Sequence, residues 1–560
     1  MPSIPVLIVG AGPVGLALAC SLRAHGVAAV VVDRAEGPVR ESRATDIHAR
    51  TLELLAGLGV TERLIARGKQ SYAAWFYSEG KRVAGFETKS LATPYPFILG
   101  LPQFATQEVL AERLSELGGE VWRQHTFVSL EQEKSHVGVR LLGPDNAPRE
   151  VRADWVVGSD GAQSTVRTSL GVPFEGATYE EHFLLADLKI RWELSGDELH
   201  LFLTEEGFFM VLPMPGGWVR TFASVRGDSA DAEADLGTFL RLIESRVHVP
   251  CEVTEAGWIA RFKIHRRMVP RYRTGRVFLA GDAAHIHSPV GGQGMNIGVQ
   301  DAVNLGFKLA LVVRGQARPE LLDSYHAERH SAASRTLLDT HLATTVSMIR
   351  SPALRFVRDL MGRATVGSDA LARWMCELVA SFHTDVRDSP AVASVRGSLL
   401  FADVVQDLST EAPSIAEHLA FSRGPRSGDR VPHAPFGAEG EERFSSELIS
   451  PVEHTLVLFD GLARTPEGYR NLAAIAGDVE RMLPGVVRCR VVVPDSERPS
   501  ELPAEVAMIA DPGARLHSAF EAHAECAFLL RPDGYVGFRC QPAEHAKILG
   551  YLGQIFVPAR

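Results

Sequence analysis

Residues 4–34 read IPVLIVGAGPVGLALACSLRAHGVAAVVVDR, and the order of features in this stretch decides the fold. The apolar run Val6–Val9 predicts a buried strand that stops at Gly10. Gly10, Gly12 and Gly15 then give GxGxxG, and a helix is expected from about Pro13 to His25. Its positions Val14, Leu18 and Leu22 keep one apolar face. A second strand, Ala28–Val32, ends in Asp33 and Arg34. Gly10 permits the tight turn, Gly12 lets a pyrophosphate approach the backbone, and Gly15 lets helix pack on strand. The N–H groups at the helix start attract phosphate charge. Asp33, eighteen residues past Gly15, suits the hydroxyls of an adenosine ribose. Strand, glycines, helix, strand and acid in this order mark a dinucleotide site, shared by FAD and NAD.

Two more motifs follow far down the chain. At 155–170, WVVGSDGAQSTVRTSL predicts a strand, Trp155–Val157, running into Asp160–Gly161 and a helix bearing Arg167. At 276–313, RVFLAGDAAHIHSPVGGQGMNIGVQDAVNLGFKLALVV predicts a strand, Val277–Ala280, that ends at Gly281–Asp282. A loop with Pro289, Gly291, Gly292 and Gly294 comes next, and a long helix starts near Met295.

Together GAGPVG, GSDGAQSTVR and GDAAHIHSPVGGQGMNIGVQDAVNLGFKLA resemble class A flavoprotein monooxygenases, the group of p-hydroxybenzoate hydroxylase and phenol hydroxylase. The resemblance spans roughly residues 1–330 and is closest to the larger members, which act on phenols, hydroxyphenylpropionate or aromatic polyketides. It implies that FAD sits on the glycine loop, with Pro13, Val14 and Arg34 beside it, and that Asp33 holds the ribose. It gives the ribityl chain to Gly281–Asp282, and makes Asp160–Gly161 a motif shared by FAD and NAD(P)H. Arg43 in ESRATDIHAR and Gln103 in LPQFAT fall where the family contacts flavin. Pro289 becomes part of a substrate-facing wall, while Gly291, Gly292, Gly294, Met295 and Asn296 lie toward the isoalloxazine. A helix beginning there offers N–H donors and partial positive charge to reduced flavin, worth ~0.3–2 kcal/mol from the dipole.

The implied activity is hydroxylation of a phenolic or polyketide-type aromatic compound through a flavin C4a-hydroperoxide. NADPH or NADH would be the transient reductant and O2 the oxidant, because only one dinucleotide fingerprint is present. A base or proton relay is expected at the ring hydroxyl, and no residue is singled out for it. A homodimer is the family expectation.

Length and composition agree with an enzyme of this kind. The chain has 560 residues, enough for three to four domains, with 46% hydrophobic and 22% charged residues. A net charge of −10 argues against a dedicated nucleic-acid binder. The start shows no targeting signal, no run approaches the ~20 apolar residues of a membrane span, and six scattered cysteines fit a reduced, cytoplasmic protein.

The expected architecture is α/β: a Rossmann-like FAD domain (1–71, 101–177 and 266–330) interleaved with a β-sheet substrate domain (72–100 and 178–265). A helical segment (331–400) and a Gly/Pro-rich linker (401–445) lead to a thioredoxin-like α/β domain (446–560) without CxxC. In that last domain, strand His454–Phe459, a helix near Tyr469–Met482, strands Val487–Val493 and Val506–Ile509, a hairpin at 527–539 and a final helix are expected.

Competing readings are open at several positions. Asp282, His285 and His287 have spacings a metal could use, but no Cys/His cluster supports them, and structural histidines are preferred. Phe209 and Met210, in LFLTEEGFFMVLPMPGGWVR (201–220), face substrate or simply pack in the core. A GxSxG elbow and the WxWxIP of halogenases are both absent. Baeyer–Villiger oxygenation and a non-catalytic FAD-binding scaffold are the rival functions.

Overall fold

Strand Ile4–Val9 lies between two parallel neighbours, Ala29–Val32 on one side and Pro148–Gly158 on the other. Val277–Leu279 adds in parallel to the outer side of Pro148–Gly158, and Glu120–Trp122 adds beyond Ala29–Val32. The register is level: Val9 pairs with Val32 and with Gly158, and Gly158 pairs with Leu279. The three motifs, remote in sequence, therefore emerge side by side at the carboxyl ends of adjacent strands, where open parallel sheets bind ligands. Parallel strands are covered on both faces, which is why these runs are almost wholly apolar.

The computed structural model describes residues 3–40, 44–225, 234–366, 368–382, 384–396, 413–437, 443–462 and 464–559. The chain divides into two compact units, residues 1–303 with 333–383 and residues 304–332 with 384–560.

The first unit also holds an eight-stranded sheet, to which Ala73–Ser78 and Lys81–Glu87 contribute together with strands from 175 to 286. Alternation gives it two faces. Phe202, Phe209 and Ala223 pack with Phe239 of helix Leu236–Arg246, whereas Phe183, Leu212, Phe222 and Phe262 form a separate cluster on the opposite face. A small sheet of Asp46–Ile47, Ile98–Gly100 and Lys69–Ser71 stands apart, and helices Pro352–Val366 and Asp369–Val379 complete the unit.

The second unit is built on a six-stranded mixed sheet in the order Ala393–Arg396, Val536–Gln541, Ala524–Leu530, His454–Gly461, Val487–Val493, Met508–Ala510. Helices Pro466–Met482 and His545–Ile555 contribute Leu472, Ile475, Ile548 and Leu552 to its core. Two segments differ from the sequence expectation. Residues 304–332, expected in the FAD domain, join this unit because Arg318 N–H bonds to Ile555 O and Val557 N–H bonds to Gln316 O. The described part of the expected linker is instead anchored: helix Ile415–Arg423 and strand Pro435–Phe436 bury Phe421 and Phe436, at 0% and 1% exposure. The rest of it, 401–412 and 438–442, lies outside the described residues, as do 397–400 of the expected helical segment. Among the described residues no helix is long and apolar enough to cross a membrane.

Candidate active site

A cleft of about 700 Å³ runs along the strand ends of the first unit. Two of the three fingerprint glycines are required by the protein itself. Gly10 has φ +108°, and a Cβ there would fall 2.4 Å from Ser159 O; a Cβ on Gly15 would fall 2.0 Å from Gly10 O. Gly12 is different: a Cβ there meets nothing within 4 Å, and the residue faces the cleft. Its bareness leaves room that only a ligand uses. Helix Pro13–Ala24 begins at Gly12 with no side-chain cap, so its first N–H groups point at that room. Asp33 is fixed beside it, accepting from Ala11 N–H at 2.6 Å and Ala35 N–H at 2.8 Å.

The second and third motifs are tied together by side chains. Asp160 accepts from Thr165 N–H (2.7 Å) and Val166 N–H (3.1 Å), closing its own loop. Arg167 donates to Ala162 O (2.8 Å) and to Ala283 O (3.0 Å) while its guanidinium stacks on Phe174. In the Gly281–Asp282 turn, Asp301 accepts from Gly281 N–H at 3.0 Å and from the His285 ring at 2.7 Å, with both side chains buried. His285 thus fixes the turn that presents Asp282. His287 donates Nδ1–H to Ser288 O, and burial pushes its ring down to about 4. Among the described residues no group of three His, Cys, Asp or Glu side chains could hold a metal ion.

Beyond Pro289 the chain turns through Gly292 into helix Gln293–Val313. Asn296, on its first turn, is fully buried and donates to Asp46 O (2.8 Å) and Gly292 O (2.7 Å), and accepts from His48 N–H (2.9 Å). Its side chain clamps strand to loop rather than lining the cleft. Opposite stand Leu212, Phe222, Phe262 and Ile264 of the large sheet, an apolar and aromatic wall.

Of the expected site residues, Gly10, Gly12, Pro13, Val14, Asp33, Arg34, Gln103, Asp160, Gly161, Asp282, Pro289, Gly292, Gly294 and Met295 line this cleft. Gly15, Gly281 and Asn296 are buried and do not line it, Gly291 is exposed and does not line it, and Arg43 lies outside the described residues. Phe209 points to the opposite face of the sheet, fully buried, because side chains alternate and its neighbour Phe208 takes the cleft-side cluster. Met210 packs against the cleft-side cluster without reaching the cleft. The residues that form the wall in its place, Phe222 and Phe262, carry only the alternation of their strands as a sequence signal.

The glycine cradle, the two carboxylates and the helix starts fit a flavin dinucleotide. A family model described as FAD binding domain matches residues 3–340. The chain belongs to this family. Among its relatives, 6-methylpretetramide 4-monooxygenase of Streptomyces rimosus is 41% identical over 354 residues, covering 62% of each protein. This chain thus spans slightly less than two thirds of that relative. Rifampicin monooxygenase of Streptomyces venezuelae is 38% identical over 430 residues, 75% of this chain and 86% of that protein. The solved structure of an anhydrotetracycline hydroxylase from Streptomyces rimosus matches with a TM-score of 0.71 at 30% identity, over 99% of each chain. By their names these relatives are two monooxygenases and a hydroxylase, and the FAD-binding family agrees with the class A type that the three motifs resemble.

Proposed function

We propose that this chain is an FAD-dependent hydroxylase that places one oxygen atom of O2 on a phenolic or polyketide-type aromatic ring, with NAD(P)H as reductant. The carrying observation is a single cleft that joins a nucleotide-type glycine loop to a wall of Leu212, Phe222, Phe262 and Ile264. The names of the relatives, which print 6-methylpretetramide, rifampicin and anhydrotetracycline, support a large aromatic substrate.

Gly12 and the start of helix Pro13–Ala24 would hold the pyrophosphate, Asp33 the ribose, and Asp282 the ribityl hydroxyls. The N–H groups of Gly294 and Met295 would face the negative edge of the reduced ring, and Arg43 and Gln103 are assigned to flavin on the resemblance. FAD, when bound, supplies the electron transfer and oxygen activation. The protein's own share is position and dryness: the aromatic wall orients the substrate ring and keeps water from it. NADPH suits a second opening beside Asp160–Gly161, whose rim carries Arg34, Lys263, His265 and Arg267, a set of donors for an extra phosphate. The C-terminal unit is assigned a thioredoxin-like, non-redox role, and the assembly a homodimer.

The test is NADPH oxidation by the FAD-loaded chain with anhydrotetracycline, rifampicin and pentachlorophenol. Substrate-stimulated oxidation with a new ring hydroxyl, located by NMR, is expected. A lactone or ester product would replace hydroxylation with Baeyer–Villiger chemistry. A colourless protein that cannot be reconstituted with FAD would leave a scaffold.

A further inference from the structure

The seam between the flavin-side loop and the aromatic sheet holds one carboxyl that no motif explains. Asp46 lines the cleft yet is only 7% exposed. A Cβ on Gly292 would fall 2.9 Å from its Oδ2, so the carboxyl lies directly against the turn that opens helix Gln293–Val313. Its backbone is locked by Asn296, and its strand partner Gly100 packs so tightly on Pro213 that a Cβ there would sit 2.1 Å from the Pro213 carbonyl. Pro213 ends the strand Gly207–Pro213, which carries the wall residue Leu212.

We propose that Asp46 is the base of this site, taking the proton from the ring hydroxyl of the aromatic substrate. The phenol O–H bond breaks, its electron pair stays on the ring oxygen, and its proton goes to Asp46. A neutral phenol and a carboxylate become a phenolate and a carboxylic acid. The oxyanion then makes the ring electron-rich for oxygen transfer. This assignment rests on the aromatic hydroxylation proposed above.

The charges around Asp46 suit the task. Arg220 faces it from strand Val219–Val225, but that guanidinium already binds Asp187 through two bonds of 2.7 and 2.8 Å. Burial therefore pushes the Asp46 carboxyl up to about 6, against Arg220 and the Thr45 hydroxyl. The neighbouring histidines do not compete in that range. Burial pushes both His48, on the same segment, and His287, on the cleft loop, down to about 4. A base poised near the working pH is the efficient one.

The experiment uses the FAD-loaded full chain and each member of the panel above that it turns over, from pH 5 to 8. Hydroxylation by the wild type should fall as pH drops through about 6, because Asp46 that already carries a proton cannot take another from the substrate. Asp46→Asn should lower product formation by about 100-fold and lose that acid limb. FAD affinity, read by fluorescence quenching, should stay near the wild-type value, and the NADPH still consumed should appear as hydrogen peroxide. Asp46→Glu should restore the limb. An Asn variant with wild-type rate and limb would overturn the assignment. If that variant loses flavin, a wild-type profile flat between pH 5 and 7 would overturn it equally. A wild type that turns over none of the panel would instead overturn the hydroxylase reading on which it rests.

Discussion

In the C-terminal unit Arg531 donates to Glu328 at 2.9 and 2.7 Å and to Asp533 at 2.9 and 2.6 Å, and Lys308 lies 2.8 Å from Glu328. Asn304 and Ser389 fill the remaining acceptor positions. At the cleft of the first unit, Asp46 is nearly as buried, and among the described residues burial is opposed there by the Thr45 hydroxyl and a guanidinium already engaged by Asp187. The consequences are opposite. Burial alone would raise Glu328, but Arg531 and Lys308 outweigh it and hold that carboxyl well below the usual carboxylate range. Burial dominates at Asp46 and leaves it up at about 6. Two cations matched by two anions fix their charges and serve the fold. A carboxyl short of a counter-ion keeps its proton within reach of neutral pH and serves chemistry, at some cost in stability.

The largest effect expected from this contrast is at Glu328. Glu328→Gln leaves Arg531 and Lys308 facing one carboxylate, and breaking such a buried set costs about 3–5 kcal/mol. Hydrogen exchange across His454–Gly461 and Ala524–Leu530 should register the loss, and unchanged protection would erase the contrast.

Asp46→Asn should act in the other direction on stability. A carboxyl raised from 3.8 to about 6 on folding opposes the fold above pH 6, and the penalty fades as pH falls toward 4. The shift corresponds to about 3 kcal/mol, so the Asn variant should unfold later in urea at pH 7.5 and gain little at pH 4. A variant destabilised at pH 7.5 would show that Asp46 is a structural charge after all.

Smaller effects belong to the ligand-facing side. Asp282→Ala removes an acceptor from the cleft without touching the His285–Asp301 tie. It should weaken FAD binding by about 1.5–3 kcal/mol, read by flavin fluorescence. Lys263→Gln should raise KM for NADPH a few-fold, more than for NADH, and the effect should shrink in high salt. Equal effects on both nucleotides would detach the basic rim from the extra phosphate.

The readable parts of this molecule were those whose cause is local. GxGxxG, the acid after the second strand and the Gly281–Asp282 turn each follow from neighbours within a few residues, and helix Pro13–Ala24 ends one residue short of its expected limit. Most of the strand and helix order of 454–556 was equally legible, because each element carries its own apolar period, but the short helix Arg515–Phe520 before the hairpin was missed. What failed depended on distant pairing. Residues 304–332 change units through backbone bonds to 555–557, and a glycine-rich stretch is anchored by Phe421 and Phe436. The face of Phe209 follows from sheet register, where a slip of one residue reverses every side chain. Asp46 sits in the polar string ESRATDIHAR, and the Gly292 turn beside its carboxyl and the Arg220 charge acting on it both come from far away in sequence.

Oxygen labelling follows the transferred atom itself. The FAD-loaded chain would be given NADPH, a phenolic polyketide such as anhydrotetracycline and 18O2, and its product examined by mass spectrometry and NMR. One 18O atom per product molecule is expected, bonded as a hydroxyl to a ring carbon. An unlabelled product, a label found in a lactone or ester, or 18O recovered wholly as hydrogen peroxide with every phenol tried would contradict it.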